Sequence, residues 1–165
     1  KKMAQAIPNR IKVLDQANMN FYPILASDNL DTTYWYRLTN CELGNNWSVD
    51  NDKKTVFMSE TVSNRYGQYW KLTPYNNGIR LSSRFSDEGY AIDTGPNKQD
   101  LQFENYFKTG TQWHLIPLEN GEFRLTNNWS GEDYSLGLQD KKVLMVNRND
   151  TAQGQRWKLT QVTKI

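Results

Sequence analysis

One cysteine, Cys41, and one histidine, His114, in 165 residues leave little catalytic or metal chemistry to build with. A single thiol excludes an internal disulfide and any metal site of paired thiolates, and a single imidazole excludes a multi-histidine metal centre. A Ser-His-Asp or Cys-His arrangement would have to form around His114 itself. No catalytic residue, metal or cofactor is therefore expected. Charge of one sign is also scarce: 20 basic residues face 18 acidic ones for a net +2, too weak a field to gather phosphates, so nucleic acid is not an expected partner. No run approaches the roughly 18 consecutive apolar residues of a transmembrane segment, and the opening KKMAQAIPNR has no signal-peptide core. What the chain does have is 37% hydrophobic and 13% aromatic residues, enough for the core of one ordinary domain.

Those aromatics are periodic. Trp70, Trp113 and Trp157 stand 43 and 44 residues apart in GQYWKL, GTQWHL and GQRWKL. On that register Arg37, Arg80 and Arg124 coincide within YRLTN, IRLSS and FRLTN, each followed by a leucine. Ten residues after each arginine comes Trp47, Tyr90 or Tyr134, and two further on Val49, Ile92 or Leu136. Met58, Leu101 and Met145 form another apolar column. Alternation of this kind reads as short strands with one inward face, four to a copy. The copies run about 34–77, 78–120 and 121–163, with PYNNG and PLENG as turns at the junctions. Three copies are too few for a propeller, and a closed barrel with threefold pseudosymmetry leaves no exposed edges and lets three indoles share one core.

The Gln-x-Trp triplets Gln68-Tyr69-Trp70 and Gln155-Arg156-Trp157, with the variant Thr111-Gln112-Trp113, make residues 34–163 resemble the ricin B-chain-like β-trefoils. The resemblance implies an all-β fold of six barrel strands capped by three hairpins. It also implies a non-catalytic, lectin-like carbohydrate-binding module, with glycans or glycoproteins as partners and a secreted location; a cytoplasmic one stays open. In such lectins an aspartate after the second strand accepts sugar hydroxyls, an aromatic ring stacks on the pyranose, and an asparagine precedes the glutamine. The aspartate column here is Asp50, Asp93 and Gly137, and the asparagine column is Gly67, Gly110 and Gly154. Copy two offers Phe103 and Tyr106 as rings with Asn105 beside them, where copy one has Glu60 and Arg65. At most two working sites, around Asp50 and Asp93, are expected. A protein-interaction or structural trefoil that has lost sugar binding is the alternative; an enzyme would need a carboxylate pair, for which Asp87, Glu88 and Asp93 are the clustered candidates.

Other repeated residues have structural readings. The tryptophans belong to the core. The glutamines are expected to satisfy turn backbone, and the glycines mark positive φ or a close approach. The arginines suggest a girdle of ion pairs. Lys71, His114 and Lys158, which share the column after the tryptophan, should face solvent. Residues 1–33 lie outside the repeat and read as an arm on the barrel surface, with an oligomer contact or a parent multidomain chain left open.

Overall fold

The computed structural model describes residues 10–11 and 30–165. Most of the arm, residues 1–9 and 12–29, lies outside the described residues. Of it, β1 (Arg10–Ile11) pairs with β2 (Leu30–Asp31).

Each copy contributes the four strands that its apolar columns predict. Copy one holds β3 (Tyr34–Asn40), β4 (Gly44–Asn51), β5 (Val56–Glu60) and β6 (Trp70–Tyr75). Copy two holds β7 (Gly78–Ser83), β8 (Ala91–Thr94), β9 (Leu101–Glu104) and β10 (Trp113–Pro117). Copy three holds β11 (Phe123–Asn127), β12 (Tyr134–Gln139), β13 (Lys142–Asn147) and β14 (Trp157–Lys164). The first and last strands of each copy close a ring, β3–β6–β7–β10–β11–β14 and back to β3, by antiparallel pairing throughout. The middle strands form three hairpins, β4–β5, β8–β9 and β12–β13. Six barrel strands capped by three hairpins are a β-trefoil.

The indoles show why the repeat closes. Trp70, Trp113 and Trp157 are at most 1% exposed, and each donates its Nε1–H at 3.0 Å to a carbonyl of its own hairpin, Val49, Ile92 or Leu136. One side chain thus fills the barrel and ties the cap to it, and its polar atom is satisfied. Leu38, Leu72, Leu81, Leu115 and Leu125 complete the shared core, with Met58 and Met145 beneath the hairpins.

The glutamines are structural. Gln68 accepts from Val62 N–H at 3.0 Å and donates to the Glu60 carbonyl at 2.8 Å, and Gln155 repeats this with Asn149 N–H and the Asn147 carbonyl. Two of the arginines depart from the expected girdle. Arg37 donates to Gln68 Oε1 and Arg80 to the carbonyls of Tyr106 and Gly89, so both serve neutral acceptors. Only Arg124 meets an acid, its Nε lying 3.4 Å from Asp150 Oδ1 without hydrogen-bond alignment while Nη1 donates to Ser135 Oγ. A side-chain amide for Arg37 and backbone carbonyls for Arg80 satisfy the guanidinium without an acid, so an arginine column need not be an ionic one.

Candidate functional site

In copy two, β8 and β9 present Asp93 and Gln102 as register partners, and Gln102 Nε2 donates to Asp93 Oδ2 at 2.7 Å. Tyr106, on the loop after β9, donates its hydroxyl to the same oxygen at 2.8 Å. Burial, reinforced by the Asp93 carboxylate, pushes the Tyr106 phenol up to about 12, so it keeps the proton it donates. Asp93 is 3% exposed and forms the floor of a cleft of about 320 Å³. Thr94 lines the same cleft with a buried hydroxyl that has no hydrogen-bond partner. Trp129, 42% exposed, supplies the aromatic wall from the β11–β12 loop of copy three. Its indole is fixed by donation to the Gly95 carbonyl at 3.1 Å, and Lys98 Nζ stands 4.8 Å from the ring centre. The result is a carboxylate, an amide, a phenol, an unspent hydroxyl and an indole around one concavity, a donor and acceptor set with a partly apolar wall.

The glycine before the Trp motif proves to be part of this arrangement. A Cβ on Gly110 would overlap Asp93 Oδ1, and one on Gly67 would overlap Asp50 Oδ1. Neither glycine has positive φ, so close approach is their reason. In copies one and two this glycine leaves room for the aspartate that folds back onto it, while Gly154 of copy three, which has no such aspartate, lies against Glu42.

Copy one uses its aspartate differently. Asp50, 2% exposed, accepts from Ser59 Oγ at 2.6 Å and from its neighbour Asn51 N–H at 2.7 Å, and Arg65 Nε reaches Oδ2 at 3.0 Å. Gln68 Nε2 adds a longer contact at 3.5 Å. The Asp50 carboxylate is thus covered by groups of its own copy. In copy three Gly137 replaces the aspartate, and a Cβ there would meet Val146 Cγ2 at 2.6 Å, so valine fills the space a carboxylate would need.

Two expected ligand residues of copy two lie elsewhere. Phe103 is 8% exposed and stacks at 6.4 Å on Trp70 in the core, so it presents no face to a ligand. The reason is the strand period: Phe103 pairs with Ile92, on the face opposite to the Asp93–Gln102 pair. That same alternation, applied to LQFE, would have picked out Gln102. Asn105 is exposed and is not among the residues of the cleft wall. Trp129 carries no such signal, because it comes from a different copy and only folding brings it to Asp93.

His114 also departs from expectation. It is 7% exposed, whereas Lys158 in the same column is exposed and Lys71 half-buried. A histidine is too short to extend past the neighbouring strand as lysine does, and its Nε2 is held 2.7 Å from Asn128 Oδ1. Asp87, of the clustered acids, is exposed and pairs with Lys53 at 3.2 Å.

No protein-family model matches this sequence, and neither does any curated protein sequence. Solved structures do. ThreeFoil, a designed protein of threefold symmetry, matches with a TM-score of 0.64 at 21% identity over 76% of this chain and 97% of its own. SeviL, solved bound to asialo-GM1 saccharide, matches at 0.62 and 15% identity over 78% of this chain and 98% of its own. A GlcNAcα1-4Gal-releasing endo-β-galactosidase from Clostridium perfringens matches at 0.67 and 17% identity over 83% of this chain, which spans only 34% of that enzyme. At these identities the likeness is one of fold, and the fold is the β-trefoil.

Proposed function

We propose that this chain is a non-catalytic carbohydrate-binding module of the ricin B-like type, with the copy-two cleft as its working site. The observation that carries the reading is the meeting of the Asp93 carboxylate with the half-exposed Trp129 indole in one cleft. Carboxylate, amide and hydroxyl groups match the hydroxyls of a sugar, and an aromatic wall matches the C–H face of a pyranose. Lectin neighbours of the same fold, among them one solved with a bound saccharide, support it. Copy one is the lesser site, since Arg65 forms an ion pair with Asp50, whereas the donors on Asp93, Gln102 and Tyr106, are neutral.

A shallow site of this size predicts millimolar affinity for a single sugar, about −4 kcal/mol. Asp93→Ala and Trp129→Ala should each weaken binding on a glycan array or in titration calorimetry by about tenfold or more, roughly 1.4 kcal/mol, while Asp50→Ala leaves most of it. Full binding retained in Asp93→Ala would sink the reading. Turnover of a glycoside that stops when Asp93 is replaced would make the chain an enzyme instead.

A second reading has one observation in its favour. Val62, Tyr66 and Phe85 are 40–48% exposed, and Arg84 stacks 3.9 Å over Tyr66, a surface suited to protein contact. A partner captured through that face would survive an excess of free sugar, whereas a glycoprotein held through the Asp93 cleft would be released.

A further inference from the structure

We propose that the groove between copies two and three, walled by His114 and Thr126, is a second binding site, for a small neutral polyol such as a single saccharide unit. It is separate from the hairpin clefts, because it is built on barrel strands β10 and β11, where His114 and Thr126 are register partners. The groove measures about 370 Å³ and is otherwise lined by Asn77, Asn127, Asn128 and Glu132.

Two polar atoms there are unspent. His114 Nδ1 and Thr126 Oγ1 are both buried and without a hydrogen-bond partner, on side chains 7% and 1% exposed. A buried polar group without a partner is costly to the fold, so each is a standing demand for a donor or acceptor.

The network behind the imidazole states which kind His114 demands. Gln112 Nε2 donates to Asn77 Oδ1 at 3.1 Å, which leaves Gln112 Oε1 to accept from Asn128 Nδ2. Asn128 therefore turns its oxygen to His114 Nε2, and an amide oxygen only accepts. The proton sits on Nε2, and Nδ1 is a bare lone pair that needs an incoming N–H or O–H. This relay exists because the glutamine of copy two is displaced by one residue from the Gln-x-Trp position, with Thr111 closing the turn through Lys108 in its place.

The ring is also held in place. A Cβ on Gly78 would lie 3.1 Å from His114 Cε1 and 2.7 Å from the Trp113 carbonyl, so β7 presses against the imidazole from one side. Burial holds the imidazole below its ordinary pKa, only partly opposed by the bond to Asn128, so the neutral form prevails at neutral pH. Glu132 is the charged group on the groove wall, which disfavours anions and leaves a neutral hydroxyl as the fitting donor. The matching groove between copies three and one has Lys158 in the histidine column and Cys41 in the Asn128 column, so it has no imidazole to offer as an acceptor. The acceptor is particular to this junction.

His114 is the only histidine of the sequence, so its imidazole nitrogens can be followed without assignment by ¹⁵N NMR of the full chain. Galactose, lactose and glycerol are titrated in turn. The expected result is an Nε2–H tautomer whose Nδ1 resonance moves upfield and saturates with at least one of them. The response should persist in Asp93→Ala and weaken several-fold in Thr126→Val, whose shape is kept. It should vanish from the Thr126 and Asn128 amides in His114→Lys, a residue the barrel already accepts in this column. An Nδ1 unmoved by all three probes means an ordered water only and overturns the proposal, as does a proton found on Nδ1. A response lost in Asp93→Ala would show one site rather than two and overturn it equally. A silent His114 with an intact Asp93 cleft leaves the lectin reading standing, so the two fail separately.

Discussion

The hairpins of copies two and three have the same strand plan and opposite surfaces. In copy two Asp93 faces Gln102 across β8–β9, with Gly110 bare beneath the carboxylate. In copy three the corresponding residues of the repeat are Gly137 and Val146; Gly137 pairs across the hairpin with Leu144 instead, yet valine packs diagonally into the space. The replacements are matched: where the acid is gone its hydrogen-bonding partner is gone too, so this pair of positions leaves no polar side chain of its own to satisfy. A polar side-chain cluster on a repeat fold is therefore present or absent as a set of residues, while the indole and leucine columns that close the barrel go on unchanged.

That contrast can be tested from its shared part outward. Trp70→Ala, Trp113→Ala and Trp157→Ala should each cost about 3–5 kcal/mol in urea unfolding, with equal values across copies, because each indole has the same carbonyl partner and burial. Markedly unequal costs would mean that the pseudosymmetry of geometry is not one of energy. Gly137→Asp, which puts the acid into copy three, should destabilise by about 3 kcal/mol, since its side chain overlaps Val146 and buries a charge beside it. Adding Val146→Gln should recover a good part of that loss. Gly110→Ala should cost about 1–3 kcal/mol and displace Asp93, whereas the same change at Gly131, where a Cβ meets nothing but φ is +89°, is opposed by backbone strain alone.

Smaller effects come from charge. His114 has a folded pKa below its unfolded value of 6.5, so its contribution is complete above pH 6.5 and is lost as pH falls toward the folded pKa. The slope is at most about 1.4 kcal/mol per pH unit, and His114→Gln should remove it. Lys142 and Asp100, which pair at 2.9 Å between copies three and two, are both about half exposed. Lys142→Ala should change stability by less than about 1 kcal/mol, an effect that fades in salt.

Much of this was legible in the residues. Trp70, Trp113 and Trp157 with their leucines fixed the period, and four apolar columns per copy fell on four strands because a strand's inward face repeats at a spacing that folding cannot alter. The Asp93 hairpin was legible too, and Gln102 was within reach of the same alternation. Phe103 has the residue type of a stacking ring but the strand parity of the core. Asn105 is next to Tyr106 in sequence, which does not determine whether a loop side chain turns toward the cleft.

By itself, then, the sequence determined the repeat, the closed barrel, the strand faces and the absence of paired-thiol or multi-histidine chemistry, since these follow from local periodicity and composition. Only the tertiary structure decided that Trp129 of copy three walls the cleft of copy two, that Arg65 covers Asp50, and that His114 is buried beside Thr126. The physical reason is the same for each. These contacts join residues that share no strand period, and their partners are set by how the copies pack and by which side chains are long enough to reach across.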